Sequence, residues 1–387
     1  MRAVFNMATL RSRGARQLGM GIVKGLAAVA PEFPILLLGP QGVGFEQLPL
    51  PAGTDLEVYP WARSRWQRYR MDEDLVPTIA RRYGADVLLN CTNSGPSRPP
   101  VPFVMGLWLS QFYTQGRDYL RLYGPLERLS LGTKRWLFAR ALRNAAYFVT
   151  LSGIAAEATC RLYRYPRDRT RVIPNSIDTS LLDEKPPQTP HADRVRATDA
   201  VRCLMVCGYH SHKGHRYVPE AMRILSERLG RRAVCFVTVN PQDEGPRRWL
   251  ESVRAQGLEQ FVEVLFPVED EELGELYRAG DLLVFPTINE IASTTYDDAM
   301  YCGLPIVTSD LSFAHYLCGD AALFFDPEDP RDIADQAHRA LTNTSERERM
   351  VRRGHEYFQE RHWSWPQVAA GYVELMELGA KAERRGP

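Results

Sequence analysis

The stretch Phe285-Pro-Thr-Ile-Asn-Glu-Ile-Ala-Ser-Thr-Thr-Tyr-Asp-Asp-Ala-Met-Tyr-Cys-Gly-Leu-Pro-Ile-Val-Thr-Ser-Asp310 sets one carboxylate, Glu290, just ahead of a predicted helix and a second, Asp298, inside it. A helix start aims unpaired N–H groups at the preceding loop and stabilises an anion there. A carboxylate at the same mouth accepts two hydroxyl hydrogens in one plane, which suits a vicinal diol. The third reactive group is Lys213, in the turn Gly208-Tyr-His-Ser-His-Lys-Gly214 between a strand and a helix, where an ammonium can meet an anionic group. The chain has five lysines against 43 arginines, so a lysine kept in such a loop carries information. The plainer alternatives stay open: Lys213 as a solvated loop residue, and Asp297 and Asp298 as ordinary acids answering the helix dipole. His210 and His212 lie close together, but no carboxylate or cysteine neighbours them in sequence, so a metal site is not expected.

The elements that must position these groups are legible as alternating patterns. Asp281-Leu-Leu-Val-Phe-Pro reads as a buried parallel strand closed by Pro286. Ser293, Thr294 and Thr295 cap a helix carrying Tyr296 to Tyr301, which Gly303 ends before the strand Leu304-Pro-Ile-Val-Thr. The first half alternates strand and helix from Ala3-Val-Phe through Leu18 to Ala30, Phe33 to Leu38, Leu75 to Tyr83, Asp86 to Leu89, Val101 to Met105 and Tyr147 to Leu151. Residues 117–146 read as a basic amphipathic helix pair. A linker follows Val172-Ile-Pro-Asn-Ser-Ile-Asp178, with a Pro-rich core from Lys185 to His191. The second half restarts with strands at Arg202–Gly208, Ala233–Val239, Phe261–Phe266, Asp281–Phe285 and Pro305–Thr308. Helices Tyr217–Leu229, Glu271–Ala279 and Gln367–Lys381 complete it. The fold class is α/β, with two successive domains and a ligand cleft expected at their strand carboxyl ends.

Length and composition bound the alternatives. A chain of 387 residues with 44% apolar and 25% charged content reads as a soluble globular protein of two domains. No run approaches the roughly 18 uncharged apolar residues of a membrane helix. Seven cysteines without a C-x-x-C pair point to reduced thiols and a cytoplasmic location, and Cys203 and Cys207 read as core residues of one strand. Charge is uneven: residues 1–178 hold 24 Lys/Arg against 13 Asp/Glu, a balance of +11, and residues 179–387 hold 24 against 34, a balance of −10. The basic half either meets an anionic acceptor or the inner face of a membrane, or is balanced by the acidic half. Trp61 to Arg70 interleaves aromatics with arginines; nucleic acid is not expected there, because no recognition motif accompanies it.

The order Val172-Ile-Pro-Asn, Gly208 to Gly214, Glu271 to Asp281, Glu290-x7-Asp298 and Gly303-Leu-Pro-Ile-Val resembles retaining nucleotide-sugar glycosyltransferases of the GT-B fold, the large group 1 family with a Glu-x7-Glu motif. The resemblance implies two Rossmann-like domains facing across a cleft: an acceptor-binding domain at 1–178, a donor-binding domain at 179–365, and a helix at 366–387 returning to the first domain. It implies catalytic roles for Lys213, which binds the donor phosphates, and Glu290, which binds the transferred sugar. The amides of Ile291, Ala292 and Ser293 approach sugar and phosphate. Gly14, Gly208, His210, Val268 and Thr294 complete the donor side, with Asp298 on the ribose hydroxyls. Arg13, Trp108 and Gln111 fall on the acceptor side. The chain departs from the pattern where Tyr209 and His210 follow Gly208 in place of an arginine, and where Asp298 is one methylene shorter than the usual Glu.

The same resemblance implies metal-independent, retaining hexosyl transfer from a nucleoside-diphosphate sugar, UDP favoured over GDP, with no cofactor. Ser309 to His315 and Cys318 to Pro327 resemble a subgroup that builds bacterial surface polysaccharides, so the acceptor is a glycan or lipid-linked intermediate. Arginine-dominated usage leaves a small antibiotic-type core as the other acceptor. No histidine precedes His191, so a first-domain histidine base is excluded, and an inverting route would need Asp72, Glu73 or Asp74. The rival classes are a catalytically silent subunit of the same fold, an epimerase and a phosphorylase.

Overall fold

The computed structural model describes residues 1–60, 64–114, 121 and 123–382. The chain divides into two compact units, Met1–Ser176 with Trp363–Pro387, and Ile177–His362.

Among the described residues, the first unit holds a seven-stranded sheet in the order β3-β2-β1-β4-β5-β6-β7. The strands are β1 (Ala3–Asn6), β2 (Ile35–Pro40), β3 (Thr54–Tyr59), β4 (Val87–Asn90), β5 (Phe103–Leu107), β6 (Tyr147–Thr150) and β7 (Thr170–Val172), and the pairings are parallel. The central strands β1, β4 and β5 are buried throughout, which is why they read as unbroken apolar runs. Strand order reverses at β1 and β4, the place where open α/β sheets leave a crevice at their carboxyl ends.

The helix Trp365–Ala380 belongs to this unit and packs on the helix Arg13–Val29 and on β4 and β5. Gly21 and Gly25 make that seam. A Cβ on Gly25 would stand 2.2 Å from the Trp365 carbonyl oxygen, and one on Gly21 2.3 Å from its indole ring. The aromatic-rich approach to this helix is thus explained by packing: Trp365 fills a notch that two small residues one turn apart leave open.

The second unit holds a six-stranded parallel sheet among the described residues, in the order β10-β9-β8-β11-β12-β13. Its strands are β8 (Val201–Met205), β9 (Ala233–Val237), β10 (Val262–Val264), β11 (Leu282–Phe285), β12 (Ile306–Ser309) and β13 (Ala322–Phe325). Both units therefore have the Rossmann-like layout expected of them.

Two expectations change. The segment after Asp178 is not an open linker: Thr179–Asp183 and Pro190–Arg196 are helices of the second unit. Glu272 Oε1 accepts from the backbone N–H of His191 at 2.6 Å and of Ala192 at 3.1 Å, and Arg278 donates to the Leu182 carbonyl at 2.7 Å. Of the helix pair expected at 117–146, the described residues include the helix Pro125–Asn144, while 115–120 and 122 lie outside the described residues, as do 61–63 of the arginine-aromatic stretch. Finally β3, β7 and β13 enter as edge strands that the apolar-run criterion passes over. The β3 sequence Thr-Asp-Leu-Glu-Val-Tyr buries fully only its first residue.

Candidate functional site

The site in the second unit is built at the carboxyl ends of β8, β11 and β12. After β8 the chain runs through Gly208 into a tight 3-10 turn, Ser211–Lys213, and Gly214 then takes a left-handed conformation at φ 75°. A Cβ on Gly214 would meet the Pro286 carbonyl oxygen at 2.2 Å, so glycine is required there twice, for conformation and for space. This close approach of the two loops delivers Lys213 to Glu290. Lys213 Nζ donates to Glu290 Oε1 at 2.5 Å and stands 4.9 Å from the centre of the Phe285 ring.

The same carboxylate oxygen accepts from Thr287 Oγ1 at 2.7 Å. The loop carrying Thr287 is pinned by Ser309 Oγ donating to the Thr287 carbonyl at 2.6 Å and by the Ile288 N–H donating to the His212 carbonyl at 2.8 Å. The ion pair is largely buried, with side-chain exposures of 13% for Lys213 and 9% for Glu290. Burial works against the ammonium, and the Glu290 carboxylate more than offsets it, so Lys213 titrates above its ordinary value.

The helix Thr294–Tyr301 starts at Ser293 with extended backbone and no side-chain cap, which leaves its first N–H groups to the loop side. Thr295 Oγ1 instead donates to the Val206 carbonyl at 3.0 Å, tying the helix start to the end of β8. Tyr296 is fully buried, its hydroxyl 2.7 Å from Thr308 Oγ1. Asp298 lies one turn in and accepts a long bond, 3.5 Å, from the Tyr277 hydroxyl. Asp297 points elsewhere in the same unit: burial pushes its carboxyl up to about 7, against the pull of Arg361. The two acids are thus distinguished by their neighbours.

The histidines of the turn are held neutral. Burial lowers His210, helped by the Lys213 charge, and lowers His212 to about 4, while their rings stack with centroids 5.4 Å apart. His215 is pushed down to about 3 by burial in a pocket with Tyr209 and Trp249, and its Nδ1 finds no hydrogen-bond partner among the described residues. No group of three His, Cys, Asp or Glu side chains able to hold a metal ion occurs among the described residues.

The other expected residues are placed as follows. Gly208 and Gly14 are open, nothing lying within 4 Å of a Cβ built on either. Val268 and Ile291 are buried and Ala292 is half-buried. In the first unit Arg13 is exposed at the head of its helix. Trp108 is packed into the core at 7% exposure, its ring 6.5 Å from that of Tyr372. The Gln111 carbonyl receives Arg135 Nε at 2.9 Å. Of the carboxylates an inverting route would need, Asp72 is buried in the π-helical turn Met71–Leu75, its carboxyl raised by that burial against the pull of Arg68. Glu73 accepts from Ser97 Oγ at 2.6 Å, and Asp74 is an exposed partner of Arg70. The hydroxyls of Thr287, Thr295 and Ser309 were not foreseen, and only Thr287, three residues before Glu290, carried a positional signal.

Comparison with known proteins places this geometry. Residues 200–343 match the family model "Glycosyl transferases group 1" and residues 32–181 match "Glycosyltransferase Family 4". The Escherichia coli O-antigen chain mannosyltransferase B is 25% identical over 262 residues, 66% of each chain. The D-inositol 3-phosphate glycosyltransferase of Stackebrandtia nassauensis is 24% identical over 256 residues, 62% of this chain and 56% of that one. The chain thus spans two thirds or less of the length of these relatives. Among solved structures, Anabaena HepE in complex with UDP and glucose superposes with a TM-score of 0.69 at 15% identity, covering 97% of this chain and 99% of that one. WaaG, a glycosyltransferase involved in lipopolysaccharide biosynthesis, does so with 0.71 at 16% identity over 97% and 99%. Two Rossmann-like units of this kind define the GT-B class. The chain belongs to the group 1 glycosyltransferases of that fold.

Proposed function

We propose that the protein is a retaining hexosyltransferase that moves a sugar from a nucleoside-diphosphate donor, UDP-linked in preference to GDP-linked, to an acceptor hydroxyl. The observation that carries the reading is the Lys213–Glu290 pair, 2.5 Å apart, beside the start of the helix Thr294–Tyr301. One group suits a diphosphate and the other sugar hydroxyls, and the helix start adds N–H groups for an anion. The bond from the sugar anomeric carbon to phosphate breaks with its electron pair on the phosphate oxygen. The acceptor oxygen bonds to that carbon on the same face, and its proton passes to the departing phosphate. The protein's part is charge stabilisation and orientation, and no resident metal enters the scheme.

HepE, whose solved complexes hold UDP, glucose and UDP-glucose, supports a UDP donor. The O-antigen mannosyltransferase and WaaG support a glycan or lipid-linked acceptor over a small antibiotic core. The test is incubation with a panel of UDP-, GDP-, ADP- and dTDP-sugars, with product anomers read by NMR. Release of nucleoside diphosphate by wild type and not by Glu290→Ala, with retained configuration, is the expected result. Nucleotide binding with no turnover of any donor would mark a silent subunit, donor interconversion without acceptor an epimerase, and dependence on inorganic phosphate a phosphorylase; each overturns the reading.

A further inference from the structure

The helix Pro125–Asn144 has more apolar surface than its fold consumes. Its inner face is complete: Leu131, Phe138, Ala141 and Leu142 are buried, and Phe138 packs against Phe112 and Tyr163 with ring centroids 5.0 Å from each. A helix of a globular protein ordinarily turns polar residues to the opposite side. Here that side carries Leu129 at 71% exposure and Trp136 at 60%, with Leu126 at 83% on its margin. The i, i+3, i+7, i+10 spacing of 126, 129, 133 and 136 lays them along one stripe, which Arg140 and Arg143 continue.

Leaving such side chains in water forgoes the stabilisation their burial would give, so a partner surface is implied. Charge identifies it. The helix holds five Lys/Arg against one Glu, in a half of the chain with a balance of +11. Arg140 sits 5.8 Å from the Trp136 ring and pairs with Glu73 at 3.6 Å, which leaves the exposed Arg143 as the stripe's cation turned to solvent. Leu and Trp on a basic helix match the boundary between headgroups and acyl chains, where indole rings settle and anionic lipids attract arginine. No helix among the described residues is long and apolar enough to cross a membrane, so the contact would be with its surface.

We propose that the outer face of Pro125–Asn144 is a docking surface for an anionic lipid membrane, with Leu126, Leu129 and Trp136 inserted and the exposed Arg143 on the headgroups. This goes beyond the proposed function and does not depend on it.

The test uses the full chain and sedimentation with vesicles of phosphatidylcholine alone or with one quarter phosphatidylglycerol. Binding to the anionic vesicles is expected, weakened by about 0.5 M salt. The double variant Leu129→Glu/Trp136→Glu is expected to lose about tenfold or more in partitioning, and Arg143→Gln about fivefold, each keeping the wild-type melting temperature without vesicles. Equal binding to neutral and anionic vesicles, or unchanged partitioning of the double variant, would overturn the proposal. So would a dimer in light scattering that Leu129→Glu dissociates, which would assign the face to a second copy of the chain.

Discussion

The carboxyl ends of the two sheets, alike in topology, carry opposite kinds of polar chemistry. In the second unit they present a charged pair, Lys213 and Glu290, with a hydroxyl from Thr287 on the same carboxylate oxygen. In the first, at the β1/β4 switch, they present amides bound to one another: Asn6 Nδ2 donates to Asn90 Oδ1 at 2.5 Å, and Asn90 Nδ2 to the Ser94 carbonyl at 2.6 Å. Asp72 is buried beside that network, its carboxyl raised by burial against the pull of Arg68. On the proposed function, the same layout serves anion and sugar binding on one sheet, while on the other the amides fix a loop. Function here follows from the residues at the strand ends, not from the strands.

That contrast is most sharply broken by removing one carboxylate from each sheet. Glu290→Ala is expected to lower donor turnover by about a thousandfold. It also leaves the Lys213 ammonium buried alone, at a cost of about 3 kcal/mol in urea unfolding. Asp72→Asn is expected to stay within about tenfold of wild type and to keep the product anomer, since an amide can hold the same loop. A large loss of turnover in Asp72→Asn with normal stability would move the chemistry to the first unit.

Glycines give the next contrast. Gly214→Ala meets both a positive φ and the Pro286 carbonyl, and is expected to cost more than about 2 kcal/mol. Gly208→Ala and Gly14→Ala have free space and are expected to stay within about 0.5 kcal/mol, so any weakening of nucleotide binding by them reports on the ligand itself.

Histidines are confined to the second unit and its C-terminal neighbourhood, with none before His191. Folded His215 refuses a proton down to about pH 3, whereas the unfolded chain takes one up below the ordinary value of 6.5. Its contribution to stability is therefore full above pH 6.5 and is lost as pH falls toward 3, at about 1.4 kcal/mol per pH unit. His212 acts in the same direction. His215→Phe is expected to flatten the pH 7 to pH 5 difference in urea midpoint by that one-proton share; an unchanged slope would contradict the assignment. The smallest effect is Thr287→Val, about 1 kcal/mol from the lost bond to Glu290 with about a tenfold loss in turnover, which Thr287→Ser should restore.

Much of this was legible beforehand because parallel central strands are buried on both faces and must be written as apolar runs. Edge strands escape that rule, which is why Thr54–Tyr59 went unseen. The Pro-rich stretch before His191 looked like a linker, yet Pro190 opens a helix at a position where its missing N–H is no loss, and Glu272 takes the neighbouring N–H groups. Lys213 and Glu290 stood out as charges in loops after strands. Their hydroxyl supports did not, since threonine and serine in such loops read equally well as caps. Trp108, expected on the acceptor side, is packed against Tyr372, a neighbour in the C-terminal helix that no local pattern around the strand announces.

The account rests on Lys213 as the group that holds a nucleoside diphosphate. Calorimetric titration of UDP into wild type and Lys213→Ala tests it most directly. A loss of affinity of about tenfold to a hundredfold in the variant, with its cooperative urea unfolding showing that it is folded, is the predicted result. Equal UDP affinity in wild type and Lys213→Ala would contradict it.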